Sequence, residues 1–218
     1  MLLSTAYFPP VTWFRLAIRC RCHSERSEDP SVARDGFRQE GKSLFLEACE
    51  NYQKQSYRNR CYILASDGPQ MLQVPVVHGD SWLITDVQVD YSTPWVLRTQ
   101  RALDTAYETS AFYEYYRDAV FALLDRRPQT LWELNLSTIR WACDALSIPC
   151  LLEPTKAFAD AAPEDYRFTL HPKKPAVLPE KPYYQVFRDK LGGFTPGMSV
   201  LDLIFNEGPG AISFVISK

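Results

Sequence analysis

Chemistry is most concentrated in one stretch, Glu50-Asn51-Tyr52-Gln53-Lys54-Gln55-Ser56-Tyr57-Arg58-Asn59-Arg60, which lies between apolar runs. In an extended chain side chains alternate, so Tyr52, Lys54, Ser56, Arg58 and Arg60 would share one face. In a helix, Lys54 and Arg58 would still coincide at i, i+4. Either arrangement suits a phosphate, pyrophosphate or carboxylate, because Arg offers a planar fork of donors and Lys a mobile point charge. The same residues could equally form a solvated hairpin whose cations pair with nearby carboxylates. Both readings stay open at the level of residue types.

Other candidates are sparser. His171-Pro172-Lys173-Lys174 places a histidine beside two cations that would hold its pKa down, as suits a general base, and it could equally be an anion contact. A lone histidine is also commonly structural. Asp202 and Asn206, at i, i+4 with Glu207 next, could ligate a metal or orient a cationic substrate. Asn-Glu-Gly-Pro at that point equally reads as helix-ending chemistry, with Gly208 in a left-handed conformation. Cys20-Arg21-Cys22-His23 lacks a second ligand pair at zinc spacing, so no metal is expected. Walker, dinucleotide-binding, nucleophile-elbow and His-Glu-x-x-His motifs do not occur, and no cofactor is expected.

The elements that must position these residues read as a mixture. Leu2–Tyr7 is an apolar strand closed by Pro9-Pro10, and Val11–Ile18 opens a helix. Residues 21–40 hold nine charged side chains in 20 positions and little apolar surface, which marks a loop or disordered insert at about 19–41. Ser43–Cys49, Arg60–Ser66, Gln70–Val77 and Ile84–Asp90 read as short strands, the last alternating cleanly. A mostly antiparallel set of hairpins is the expectation. Trp95–Arg126 is helical in two pieces broken near Thr109-Ser110. Thr130 and Glu133 form a capping box for a helix running to about Ser147. Leu151–Glu153 reads as a strand, and Pro154 to Pro182 as a long loop of the kind that is commonly functional. Ser199–Phe205 is a short apolar helix. The fold class is therefore α/β, with α+β as the alternative: a mixed, largely antiparallel sheet and helices in the second half.

Composition bounds the partners. A formal net charge of −2 offers no domain-wide positive field, which counts against nucleic acid despite the interleaved Tyr and Arg. No apolar run reaches the roughly 18 to 20 residues of a membrane span, and the N-terminus has no basic residue ahead of its apolar stretch. Six cysteines form no secreted disulfide framework, so reduced thiols and a cytoplasmic location are expected.

Several pieces together resemble the WbqC-like protein family. They are Tyr7-Phe8-Pro9-Pro10 with Trp13-Phe14, the block Glu47–Cys61, Leu72-Gln73-Val74-Pro75-Val76, and Ile84-Thr85-Asp86-Val87. Trp95, Ala106-Tyr107, Phe112–Tyr116, His171-Pro172-Lys173, Tyr184–Phe187 and Leu201–Pro209 continue the match. The resemblance covers nearly the whole chain except about 19–41, and implies a single WbqC-like domain over residues 1–218. It further implies a bacterial transferase of surface-polysaccharide (O-antigen) biosynthesis, with aminoacyl or glycyl transfer to a nucleotide-linked amino sugar as the reaction. On that reading Glu50 or His171 takes the proton from the attacking amine. Asn51, Tyr52, Lys54, Arg58, Asn59, Arg60, Trp95, Lys173, Asp202 and Asn206 form the substrate site, with rings to stack on and cations for the pyrophosphate. The competing class is a non-catalytic protein that holds a sugar nucleotide or a partner enzyme with the same patch.

Overall fold

Leu2, Leu3, Leu44 and Leu46 are buried, and the strands that carry them run side by side in the same direction. In the computed structural model, which describes residues 1–22, 44–77, 81–150, 152–160, 162 and 164–216, β1 (Leu2–Ser4) pairs parallel with β2 (Leu44–Glu47). Strand β2 pairs parallel in turn with β7 (Leu152–Pro154). The chain passes from β1 to β2 through helix α1 (Val11–Cys22), which buries Trp13, Phe14 and Leu16. Parallel strands need such a crossover, and sheets of this kind favour continuous apolar runs such as Leu2-Leu3 over strict alternation.

The remaining strands are antiparallel pairs. Strands β3 (Arg60–Ala65) and β4 (Gly68–Gln73) form a hairpin in which Arg60 faces Gln73. Strands β5 (Val76–Val77) and β6 (Gln88–Val89) form a two-residue pair. The expected pairing of Arg60–Ser66 with Gln70–Val77 is present up to Gln73, while Val76–Val77 belongs to β5; the three-stranded sheet is parallel, and "largely antiparallel" does not describe the whole. The alternation of Ile84–Asp90 is real as burial, since Val87 and Val89 are inside while Asp86 and Gln88 are exposed. Only Gln88–Val89 forms a ladder there.

Helices supply the other half of the core. Helices α2 (Trp95–Tyr107) and α3 (Tyr113–Asp125) are separated at Glu108–Phe112, and α4 (Leu131–Ala145) begins at the expected capping box. Thr130 Oγ1 accepts from the Glu133 amide at 3.2 Å, and Glu133 Oε2 from the Thr130 amide at 3.3 Å. Helix α5 (Val200–Glu207) is capped by Ser199 and buried nearly all round, as its apolar sequence requires. A short 3-10 turn (Gly208–Ala211) and α6 (Ile212–Val215) follow. Between β7 and α5 the described residues form no helix or strand, and this long strap returns to the edge of the parallel sheet, where Asp165 bridges Leu2 of β1 in parallel. Helix α1 extends to Cys22, into the first residues of the expected insert at 19–41; the rest of that segment, and His23 of the weighed zinc motif, lie outside the described residues. Among the described residues no helix is long and apolar enough to cross a membrane.

Candidate functional site

The three parallel strands end together at Ser4, Glu47 and Pro154, since Ser4 pairs with Glu47 and Leu46 with Pro154. Carboxyl ends of parallel strands are where open α/β sheets place ligands, and the Glu50–Arg60 block is folded over this edge. Up to Arg60, which opens β3, the block is neither strand nor helix. It is a chain of turns with Gln55 at φ +60°, so neither the alternating face nor the i, i+4 pairing of its cations forms. Tyr52, Ser56, Arg58 and Asn59 turn inward, while Asn51 and Lys54 stay exposed and Arg60 is half-buried.

Arg58 is the centre of the block. Its guanidinium grips Glu50, with Nε 2.8 Å from Oε1 and Nη2 on Oε2, and both side chains are almost fully buried. Nη2 also donates to Ser4 Oγ at 2.6 Å. The Ser4 hydroxyl in turn donates to Glu50 Oε2 or to the Arg167 carbonyl, each at 3.2 Å. Asn59 holds the next turn by donating to the Val74 carbonyl at 3.0 Å, and the Asn135 amide reaches in from α4 to the Arg58 carbonyl at 2.8 Å. Lys54 sits 5.2 Å above the ring of Trp82, which stacks on Tyr52. Arg60 Nη2 approaches Gln73 Oε1 at 3.5 Å. Lys54, Arg58 and Arg60 therefore point to three different environments.

A second buried ion pair stands beside the first, and sequence reading missed it. Arg167 Nη1 lies 2.6 Å from Glu47 Oε2, and neither side chain has any exposed surface. Arg167 also binds Asp165 through Nε and Nη2 and the Ala159 carbonyl through Nη2. The other Glu47 oxygen accepts from Thr155 Oγ1 at 2.6 Å and from the Cys49 amide at 2.9 Å. Two buried Arg–Glu pairs are thus joined through the Arg167 carbonyl, which accepts from Ser4 and Arg58. Arg167 and Glu47 lie 120 residues apart, so no local pattern announces the pair. The only signal was Glu47 itself, a carboxylate closing an apolar strand.

His171 lies where the strap crosses the block. Lys173 Nζ is hydrogen-bonded to Gln55 Oε1 at the tip of the turn. His171 lines a cleft of about 250 Å³ together with Tyr57, Tyr62, Lys174 and Glu180. Burial, then the positive charges of Lys174, Arg58, Lys173 and Arg60, push the imidazole below its ordinary pKa, so it is neutral at pH 7. Nδ1 accepts from the Lys173 amide at 3.1 Å. The tautomer assigned by that bond carries its proton on Nε2, so the ring offers a donor. Both residues expected to act as the base are engaged in this arrangement: Glu50 by Arg58, and the His171 lone pair by its own loop.

The structure places three other expected residues elsewhere. Trp95 is buried at the start of α2, stacked on Tyr91 and edge-on to Tyr7. Asn206 donates to the carbonyl of Asp202 within α5. Asp202 is fully enclosed and accepts from the Tyr107 hydroxyl at 2.8 Å, the Tyr183 hydroxyl at 2.7 Å and Gln185 Nε2 at 2.8 Å. Burial raises its pKa to about 6, against the three donors, which lower it. A carboxyl raised above its unfolded value favours folding most at low pH and loses that contribution as pH rises through the folded pKa. Stability should therefore fall between about pH 4 and pH 6 in wild type, and Asp202→Asn should remove that slope. Urea unfolding across this range checks it; an unchanged slope would assign the titration to another group.

Among the described residues no three His, Cys, Asp or Glu side chains gather as a metal site would require. No curated protein and no solved structure shows significant similarity to the chain. The WbqC-like protein family matches residues 41–173, more than half of the 218. That span runs from β2 through the ion-paired block to Lys173 on the strap, and so contains Glu47, Glu50, Arg58, Arg167 and His171. The chain belongs to the WbqC-like protein family.

Proposed function

We propose that the protein takes a phosphate-bearing sugar nucleotide in the cleft beside His171 and acts on it as a transferase of bacterial surface-polysaccharide biosynthesis. The observation that carries this reading is the convergence of His171 and Lys174 with the phenol rings of Tyr57 and Tyr62 around one cleft. An N–H donor, an ammonium and two rings are what an anion attached to a sugar needs. Neutral amine nucleophiles require a proton acceptor, and His171 can serve once Lys173 moves off Nδ1. Aminoacyl or glycyl transfer to an amino sugar is the reaction the family resemblance implies, and this site is compatible with it. Holding the ligand without chemistry is favoured by one specific observation, the engagement of both Glu50 and His171 Nδ1.

Thermal-shift screening with uridine diphosphate N-acetylglucosamine and related sugar nucleotides tests the binding half, and no shift with any of them would sink it. His171→Gln keeps an amide N–H near the Nε2 position, whereas His171→Asn does not. Gln is expected to retain binding and Asn to weaken it about tenfold. An enzyme loses turnover in both variants. Bound anion would raise the His171 pKa, so affinity should increase as pH falls from about 7.5 to 5.5. Titration calorimetry showing a flat profile would place the anion away from the imidazole.

A further inference from the structure

The cleft beside His171 is small. Its volume of about 250 Å³ lies below the roughly 300–1,000 Å³ of sites that bury drug-sized ligands. Its walls are stiff. Pro10, Pro172, Pro175 and Pro196 line it, and the Tyr57 and Tyr62 rings meet edge to face with centroids 6.4 Å apart. Proline backbones have φ fixed, so these walls give little on binding. Charges of both signs line the space. Beside Lys174 and His171 stands the Glu180 carboxylate, held by Thr12 Oγ1 at 2.6 Å and by the Gly197 amide at 3.0 Å. A carboxylate has about four acceptor positions, so two remain for hydroxyl or ammonium donors of a ligand.

We propose that the cleft is a site for one ring-sized anion, bearing a single phosphate or carboxylate together with hydroxyl or ammonium donors, and that any nucleoside attached to it lies outside. The proposal rests on the reading above for its location, and narrows what that site recognises. Lys174 and His171 hold the anionic group, Tyr57, Tyr62 and the prolines pack on the ring, and Glu180 accepts from its donors. A cleft below the size range of sites that bury drug-sized ligands leaves the base and ribose at its mouth.

Calorimetry on the full chain with glucosamine 1-phosphate and with uridine diphosphate N-acetylglucosamine tests it. The two are expected to bind within about threefold of each other, and Lys174→Ala to weaken both about tenfold. Ala176→Trp, at an exposed position on the cleft wall, should abolish binding with an unchanged melting temperature. A nucleotide sugar binding more than about tenfold tighter than the sugar phosphate would overturn the size limit while leaving the proposed function standing. Binding indifferent to Ala176→Trp would overturn the location. Failure of both ligands to bind would overturn the inference, and the proposed function would fall with it only if every other sugar nucleotide in the thermal-shift screen also failed.

Discussion

Arg167→Met is expected to lower stability by about 3–5 kcal/mol, the range seen when one partner of a buried ion pair is removed. Glu47 has no exposed surface and would be left charged against the Thr155 hydroxyl and the Cys49 amide alone. Asp165 and the Ala159 carbonyl would lose donors in the same step. The strap at Asp165 and Arg167 should therefore loosen from the parallel sheet. Because the Arg167 carbonyl accepts from Ser4 and Arg58, that loosening should reach the Glu50–Arg58 pair. Urea unfolding measures the loss. The double variant Glu47→Leu/Arg167→Met should recover part of it, since replacing both partners with apolar groups is far less costly than orphaning one. A single-variant loss below about 1 kcal/mol would mean the pair behaves as a solvated surface bridge.

The second large effect lies at the end of α5. Gly208 has φ +51°, and a Cβ built there would stand 2.5 Å from the Phe112 ring. Phe112 cannot simply retreat, because its amide donates to the Phe205 carbonyl at 3.0 Å, which anchors the start of α3 to α5. Gly208→Ala is expected to cost about 2–4 kcal/mol, combining overpacking with a left-handed backbone that L residues resist. For a chain of this size that is a fall in melting temperature of about 5–15 °C. Adding Phe112→Ala should restore the steric part and leave the backbone part. Full restoration would show that the backbone there is unstrained. The effect bears on the site indirectly, since α5 carries Asp202 and, through it, Tyr183 and Gln185 of the strap.

Local structure was largely legible. The capping box at Thr130 and Glu133, the break between α2 and α3, the Arg60–Gln73 hairpin and the α5 terminus at Gly208 are all set by neighbours within a few residues. Their signals sit in contiguous sequence, where period and cap chemistry act. Strand pairing was less so. A strand's own residues record that one face is buried, not which distant strand covers its edge, and β1, β2 and β7 come from three widely separated parts of the chain. Hence Ser43–Cys49 reads as one more hairpin strand, whereas its residues Leu44–Glu47 form the centre of the parallel sheet.

The site divides in the same way. The residue types of Glu50–Arg60 and of His171–Lys174 marked both segments as candidates, because polar, aromatic and cationic groups are dense there, while a structural reading of each stayed open. What each side chain does there was decided by tertiary packing. Gln55 in a left-handed conformation broke the alternation that would have aligned Lys54, Arg58 and Arg60. Glu50 and Glu47 then took the two arginines as buried partners, because an enclosed guanidinium or carboxylate is tolerated only when neutralised and hydrogen-bonded. Of the expected bases, one became the counter-ion of Arg58, and the other, which lines the cleft, has its Nδ1 taken by a backbone amide. Sequence alone determined which segments carry chemistry, since composition and short-range pattern are local. Only the tertiary structure decided which charges remain free to use it, since charge pairing depends on neighbours as far as 120 residues away.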